Sequence, residues 1–205
     1  HKGCLYLFLS SGAVDGGDFA RPVTEDSPVP SGKTPESYYA AAKIEAEERH
    51  RAEAELPIVD IRLFNYFSRG QDLSARFFIT DAVRALKAGQ LFKTSPANMT
   101  RDYLHPNYFY RRVKAILAAA PANVALDAYS RAPVDKLALL EDMKKRFGLK
   151  YEVTGQPVDA VNATGSKTHY YSTSRRAAGF GYAPRYTSLE GLALEIAAIM
   201  GRKAI

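Results

Sequence analysis

The order of apolar and polar positions along the chain predicts strands that alternate with helices. Two strongly apolar runs, CLYLFL at 4–9 and IVDIRLF at 58–64, are typical of strands buried in a parallel sheet. Shorter strands are predicted at 123–128 and 169–172. Apolar residues at helical spacing, or a composition rich in Ala, Glu, Lys and Arg, predict helices at about 35–55, 75–88, 107–119, 137–147 and 188–200. The alternation predicts an α/β fold, with a parallel sheet and flanking helices.

Two segments differ in composition from these elements. Residues 15–36 are rich in glycine and proline and predict a long loop, and loops of this length are usually functional or disordered. Residues 43–55 mix acidic and basic side chains, which predicts a solvated helix face rather than a nucleic-acid-binding surface. The net charge of +6 is compatible with a small anionic substrate.

Composition narrows the class of protein further. The 205 residues suffice for one domain, or slightly more, with a buried core. Cys4 is the only cysteine and the four histidines are far apart in sequence, which argues against a disulfide framework and a metal site. No apolar run approaches the roughly 18 residues of a membrane span, and 4–9 is too short for a secretory signal. We expect a cytoplasmic protein with no metal, membrane or nucleic-acid partner.

The most informative chemical pattern is a tyrosine followed four positions later by a lysine, Tyr39 and Lys43. On a helix both side chains share one face, where the ammonium favours the phenolate and lowers the pKa of the tyrosine from about 10. Such a tyrosine can donate or accept a proton near neutral pH. The chain repeats the spacing at Tyr110 and Lys114, so the pair alone is a weak signal.

The surroundings favour Tyr39 over Tyr110. Ser10 and Ser11 end the strand that precedes the Tyr39 helix. Strand ends and adjacent helices meet at the carboxyl edge of a parallel sheet, where α/β proteins place their sites. No comparable serine turn precedes Tyr110, so its pairing with Lys114 is interpreted as a surface helix contact.

A series of motifs covers nearly the whole chain. They are the serine turn at 10–16, Tyr39-xxx-Lys43 followed by Glu47, RLFN at 62–65, RDYLH at 101–105, and a tail from Ser174-Arg175 to Gly181-Tyr182-Ala183-Pro184. In this order they resemble the extended short-chain dehydrogenases/reductases, and within them the NAD-dependent epimerase/dehydratase group that acts on nucleotide sugars. The resemblance implies a Rossmann-like fold and NAD or NADP as the cofactor.

The resemblance also implies roles for the serine turn and the tyrosine helix. Ser11 would hydrogen-bond the reacting sugar oxygen, and Ser10 is the alternative if the turn is shifted by one residue. Tyr39 would pass the proton. Lys43 would tune Tyr39 and, with it, hold the cofactor.

Three later residues are implied to contact the ligands. Asn65 and Arg101 would contact the substrate diphosphate, Arg101 as a charge-assisted donor. Phe64 would pack near the nicotinamide. Each has a simpler alternative: Phe64 in the core, Asn65 capping the following turn, and Arg101 paired only with Asp102.

Several positions depart from the family's pattern. Asp15 stands where the family usually has tyrosine, Ser68 where it has glycine, and a second phosphate-binding arginine is missing near Val161 or Asn162. The dehydratase branch carries Thr-Asp-Glu where this chain has Ser-Gly-Ala at 11–13. The resemblance therefore favours an epimerase or a 4-keto-sugar reductase over a dehydratase.

The family's glycine-rich GxGxxG turn, which opens its dinucleotide-binding half, does not occur in the sequence. We interpret 1–65 as the second half of a Rossmann-like domain that carries the Ser/Tyr/Lys site. Residues 66–205 are interpreted as mostly the substrate-binding portion, with some strands and helices returning to the Rossmann-like sheet. The intact parent is expected to be a homodimeric NAD(P)-dependent oxidoreductase or isomerase, a nucleotide-sugar epimerase or 4-keto reductase, with this chain inactive alone. The alternative is a non-catalytic nucleotide-sugar-binding or scaffold protein that has lost the cofactor half.

Overall fold

The secondary structure follows the predicted alternation. The computed structural model describes residues 3–16, 19–27, 38–155 and 167–202. The strands are β1 (Tyr6–Ser11), β2 (Ile58–Leu63), β3 (Asn65–Tyr66), β4 (Phe92–Thr94), β5 (Thr100–Arg101), β6 (Tyr103–Leu104), β7 (Val124–Asp127), β8 (Val134–Asp135), β9 (Tyr151–Val153) and β10 (His169–Tyr170). The helices are α1 (Tyr38–Ala52), α2 (Phe78–Ala88), α3 (Pro106–Ala118), α4 (Lys136–Phe147) and α5 (Ser188–Ile199).

All four predicted strands and all five predicted helices are present, with ends shifted by a few residues. The additional strands have two or three residues each, too few to leave a periodic pattern in the sequence. Half of the predicted loop at 15–36, together with Val161 and Asn162, lies outside the described residues.

Local signals explain where several helices begin and end. The Asp135 carboxylate accepts hydrogen bonds from the backbone N–H groups of the first turn of α4, and Gly148, at φ 79°, ends that helix. Thr187 and Glu190 form a capping box at the start of α5. Pro106 occupies the first turn of α3, where its missing N–H costs no helical hydrogen bond.

The main sheet has the order β1-β2-β7, and all its strands are parallel. Ser10 pairs with Arg62 in register, and Arg62 pairs with Asp127. The carboxyl ends of the three strands therefore bring these polar residues side by side, at the edge where parallel sheets carry their sites. Strand β7 lies far along the chain from β1 and β2 and pairs with β2 in this sheet. The division of the chain at residue 65 stays a prediction.

A second group of short strands flanks this edge. The order β10-β5-β8 places Tyr170 of β10 in register with Arg101 of β5. Strand β3 continues from β2 and pairs with β6, so Asn65 lies opposite Tyr103. These pairings connect the segment after residue 167 to the strands that carry the predicted ligand contacts.

Three apolar clusters hold the structure together. The largest packs α2 and α4 against α5, with Val83, Leu140, Met143 and Ile196 among its fully buried members. A second packs α3 and the chain's tail on the main sheet and includes Ile61, Ile116, Leu126 and Tyr182. The third is small and consists of Phe19, Val23, Phe64 and Tyr170. It lies between the main sheet and β10, beside the serine turn.

The face of α1 that packs on the sheet corrects one prediction. Glu47 is buried and forms a two-pronged ion pair with Arg62, at 2.6 Å between Nη2 and Oε2. His50 and Arg51 contact the buried Asp60 of β2 at 2.7 and 2.8 Å. The expectation of a solvated face for 43–55 is therefore wrong for this side of the helix. The sheet presents charged side chains here, and buried charges require partners.

Candidate active site

Tyr39 and Lys43 lie on one face of α1, beside the carboxyl end of β1. The Lys43 ammonium lies 5.8 Å from the Tyr39 ring centroid and 4.4 Å from that of Phe8. It donates a 2.7 Å hydrogen bond to the Leu9 carbonyl, which fixes it to the strand. Tyr39 itself is 57% exposed. The pair therefore combines an anchored cation with a phenol that a ligand can reach.

Ser11 ends β1 and caps the short 3₁₀ turn Gly12–Asp15. Its Oγ accepts a hydrogen bond from the Ala13 backbone N–H at 3.2 Å and lies 3.2 Å from the Tyr170 hydroxyl. Burial raises the pKa of Tyr170 to about 12. Tyr39 lies near enough that the negative charge of its ionised form would add to this rise. The serine hydroxyl and both tyrosines thus share one neighbourhood.

Ser10 has the opposite environment. Its hydroxyl donates a 2.5 Å hydrogen bond to Glu47 Oε1, within the buried network that Glu47 forms with Arg62. Successive side chains of a strand point to opposite faces, which separates the two serines. Because Ser10 has only one hydroxyl proton and donates it to Glu47, only the Ser11 hydroxyl keeps a proton that no carboxylate holds.

Phe64 and Asn65 lie directly after β2, next to the serine turn. The Phe64 ring is buried and lies so close to Gly12 that a Cβ there would be 2.4 Å from two ring carbons. Asn65 donates from Nδ2 to the carbonyls of Asp102 and Tyr170, both at 3.3 Å. Its amide therefore links the sheet to β10 rather than capping the next turn.

Arg101 is buried, yet it does not pair with Asp102. It donates from Nη1 to the carbonyls of Thr100 and Lys167, at 3.0 and 2.5 Å. Asp102 instead accepts hydrogen bonds from the Ser130 N–H, at 3.0 Å, and the Ser188 hydroxyl, at 2.9 Å. The simpler interpretation of Arg101 as a partner of Asp102 is thus not what the structure shows.

A second cation, Lys167, lies near Arg101. The Lys167 ammonium lies 4.2 Å from the Tyr170 ring centroid and 4.7 Å from that of Phe19. Burial and the positive charge of Arg101 lower the pKa of Lys167, and burial lowers the pKa of Arg101. Within the described ranges, neither cation has a carboxylate at ion-pair distance. Two neighbouring positive charges without a counter-charge make this region favourable for an anion.

Sequence reasoning did not single out Tyr170, although this residue connects the predicted site. Its hydroxyl contacts Ser11, its ring packs 5.2 Å from that of Phe64, its carbonyl accepts from Asn65, and its strand partner is Arg101. The segment HYYS predicts a strand, but no spacing in the sequence indicates which of its side chains faces the serine turn. Lys167 was not predicted either, because no spacing in the sequence relates it to Arg101.

Asp15, which stands in place of the family's tyrosine, lies in a buried cluster of carboxylates. Its side chain is 3% exposed, and Arg62 Nη1 lies 3.5 Å from its Oδ1. Neither carboxylate oxygen has a hydrogen-bond partner in the described part of the chain. Burial raises the pKa of Asp15 to about 7; the charges of Asp127 and Glu47 add to this rise and that of Arg62 opposes it.

The remaining candidates lie elsewhere or are absent from the described residues. Tyr110 is 61% exposed on α3, with the Lys114 ammonium 5.7 Å from its ring centroid. Across the described ranges, no cluster of three or more histidine, cysteine or acidic side chains is arranged to hold a metal ion. None of the described helices has the length and apolar character needed to cross a membrane.

Comparison with known proteins decides the family. Residues 1–129 match the family model described as "NAD dependent epimerase/dehydratase family". The chain belongs to this family. No curated protein matches the chain in sequence.

Several solved structures share the fold. UDP-glucuronic acid 4-epimerase from Bacillus cereus, in complex with UDP-glucuronic acid and NAD, is similar with a TM-score of 0.75 and 16% identity, over 98% of this chain and 63% of that one. UDP-glucose 4-epimerase from Thermotoga maritima, with UDP-glucose, is similar with a TM-score of 0.76 and 18% identity, over 95% of this chain and 63% of that one. RMD from Pseudomonas aeruginosa, complexed with NADPH, is similar with a TM-score of 0.73 and 21% identity, over 95% of this chain and 66% of that one. The chain spans less than two thirds of the length of these proteins.

Proposed function

We propose that the complete gene product is an NAD(P)-dependent enzyme that epimerises a nucleotide-activated sugar or reduces its 4-keto form. The observation that carries the proposal is the position of Ser11 and the Tyr39–Lys43 pair around the carboxyl end of β1. The family supports this reaction class, and similar structures hold UDP-sugars with NAD, or NADPH.

The residues present fit one end of a nicotinamide cofactor. The Lys43 ammonium has three protons, and the Leu9 carbonyl is its only hydrogen-bond acceptor in the described structure. Two protons therefore remain for the hydroxyls of the nicotinamide ribose, beside the exposed Tyr39. Phe64 is buried between Gly12 and Tyr170, so it would pack behind the residues that line the nicotinamide pocket and would not contact the nicotinamide itself.

The chemistry follows from the two hydroxyl side chains. When bound, NAD(P) supplies hydride exchange at the sugar carbon. Tyr39 would take the proton from the hydroxyl of that carbon, or return it to the carbonyl oxygen. Ser11 would donate a hydrogen bond to the same oxygen and so stabilise the charge that develops on it.

The cationic region would bind the nucleotide's diphosphate. Arg101 can offer a planar set of donors and Lys167 a compact charge, and both lie beside the Tyr170 ring. In this proposal Lys167 takes the place of the second arginine that the sequence lacks, and Asn65 holds β10 in position. We also expect the predicted homodimer, whose mass light scattering would measure.

The test is turnover by the complete gene product. We would incubate it with UDP-glucose, UDP-glucuronic acid, dTDP-glucose and their 4-keto derivatives, with NAD, NADH or NADPH, and separate the products by chromatography. Conversion of any of these sugars supports the proposal. Saturable binding of a nucleotide sugar without conversion would favour the alternative, a non-catalytic binding or scaffold protein. Calorimetric titration of this chain with NADH and NADPH would show how much of the cofactor site it contains.

A further inference from the structure

We propose that Tyr170 is a positioning residue, which holds the Ser11 hydroxyl so that its proton is free for the reacting sugar oxygen. This inference rests on the proposed function. No motif assigns a role to Tyr170, but the hydrogen bonds that the two hydroxyls can make indicate one.

The hydrogen-bonding capacity of Ser11 is limited. A serine hydroxyl has one proton and two acceptor positions. The Ala13 N–H takes one acceptor position, at 3.2 Å. If the Tyr170 hydroxyl donates to the other, also at 3.2 Å, both positions are filled. The only remaining capacity of Ser11 is then the proton that it donates, and this proton points to whatever occupies the site.

The environment of Tyr170 determines which hydroxyl donates. Tyr170 is 3% exposed, and in the described part of the chain Ser11 Oγ is the only hydrogen-bond partner of its hydroxyl. A buried phenol proton without an acceptor costs free energy, so Tyr170 must donate to Ser11. Burial raises the pKa of Tyr170 to about 12, so this proton is retained at neutral pH.

The packing of the ring keeps the hydroxyl in place. The Phe19 ring meets the Tyr170 ring edge-on, with centroids 4.9 Å apart, and the Phe64 ring lies on another side at 5.2 Å. The Lys167 ammonium covers the ring at 4.2 Å, and the backbone of Tyr170 pairs with Arg101. A ring held on several sides can orient a neighbouring hydroxyl without itself moving.

The first test is Tyr170→Phe in the complete gene product, with the nucleotide sugar that it converts fastest. Phenylalanine keeps the ring packing and removes only the hydroxyl. We expect kcat to fall about tenfold with KM within about threefold, because the bond to Ser11 matters most when charge develops on the sugar oxygen. Ser11→Ala is expected to lower kcat by about 10²–10³-fold. The double variant should be no slower than Ser11→Ala, because Tyr170 acts through Ser11.

The matched control is Tyr182→Phe, which removes another buried phenol hydroxyl, bonded to the Tyr129 carbonyl at 2.7 Å and away from the serine turn. It should lower the melting temperature and leave kcat unchanged. If Tyr170→Phe also lowers only the melting temperature, or if its loss in kcat multiplies with that of Ser11→Ala, the positioning role is overturned.

A second measurement needs no turnover. Calorimetry would compare the affinity of the protein for the nucleotide sugar with its affinity for the same nucleoside diphosphate without the sugar. Tyr170→Phe should reduce the ratio of the two affinities by no more than about threefold, the range expected for KM, because Ser11 would contact the sugar only, while binding of the diphosphate stays unchanged. An unchanged ratio overturns the role of Tyr170 and leaves the proposed function standing. If the unsubstituted protein binds neither ligand, the proposed function itself fails.

Discussion

Tyr39 with Lys43 and Tyr110 with Lys114 are two copies of one spacing in one molecule. The ammonium lies 5.8 Å from the ring centroid in the first pair and 5.7 Å in the second, and both tyrosines are more than half exposed. Only Lys43 is bound to a strand, through the Leu9 carbonyl. The spacing therefore determines the local pair, and the sheet determines which pair lies beside the serine turn. Four predictions test this distinction, in order of decreasing effect.

The largest effect is expected from the tyrosines. Tyr39→Phe in the complete gene product should lower kcat by about 10²–10⁴-fold, the usual contribution of a general acid or base. Tyr110→Phe should leave kcat within about twofold of the parent, because it changes an exposed helix surface. Steady-state kinetics with the converted nucleotide sugar measure both. If the two variants change kcat equally, Tyr39 is not the general acid or base.

The lysines should differ in cofactor affinity. Lys43→Met is expected to weaken binding of NADH or NADPH by about 10–100-fold, since it removes charged hydrogen bonds worth about 1.5–3 kcal/mol. Among the described residues the Lys114 ammonium interacts only with the Tyr110 ring, so Lys114→Met should not alter the affinity. Calorimetric titration of the complete gene product compares them. Unaltered affinity in Lys43→Met would remove the cofactor role of this residue.

The serine turn lies beside Tyr39 and not beside Tyr110. Its last residue, Asp15, should make the free energy of unfolding depend on pH. Because the pKa of Asp15 is raised to about 7 in the folded chain, the folded state holds this proton more tightly than the unfolded state. Its contribution to stability is therefore present at low pH and is lost as the pH rises towards 7. Between pH 5 and pH 8 the parent should lose up to about 3 kcal/mol relative to Asp15→Asn, at about 1.4 kcal/mol per pKa unit.

Urea denaturation at the two pH values measures this difference. The control is Asp26→Asn, at an exposed position, whose stability should follow that of the parent at both pH values. If Asp15→Asn also follows the parent, the Asp15 carboxyl is not held in its neutral form by burial among Glu47 and Asp127.

A smaller loss of stability is expected when a side chain is added at Gly12, between the serine turn and the Phe64 ring. An alanine Cβ at position 12 would lie 2.4 Å from two carbons of the Phe64 ring, so Gly12→Ala should destabilise the chain by about 1–3 kcal/mol. Gly70→Ala is the control, because the nearest atom to its added Cβ is Ser68 Oγ at 4.0 Å. Urea denaturation compares the two. Adding Phe64→Leu to Gly12→Ala should recover part of the loss, and no recovery would place the strain elsewhere.

Much of the fold could be predicted because it rests on short-range patterns. Apolar runs marked β1 and β2, and helical spacing marked α2 and α4, since burial of one face leaves a periodic trace. The charged face of α1 was misjudged because Glu47 is buried by its partner Arg62, which lies fifteen positions away and on another element. Pairing of charges across elements leaves no periodic trace in either segment.

Residue types at short spacings were enough to predict the order of strands and helices, the family, and the candidates Ser11, Tyr39 and Lys43. The tertiary structure gives Ser10 and Ser11 different environments, since the bond from Ser10 to Glu47 joins two elements. It also brought Tyr170 to Ser11, across 159 positions of the chain. A hydrogen bond depends on distance in space, and the packing of Tyr170 against Phe64 sets that distance without any regular spacing in the sequence.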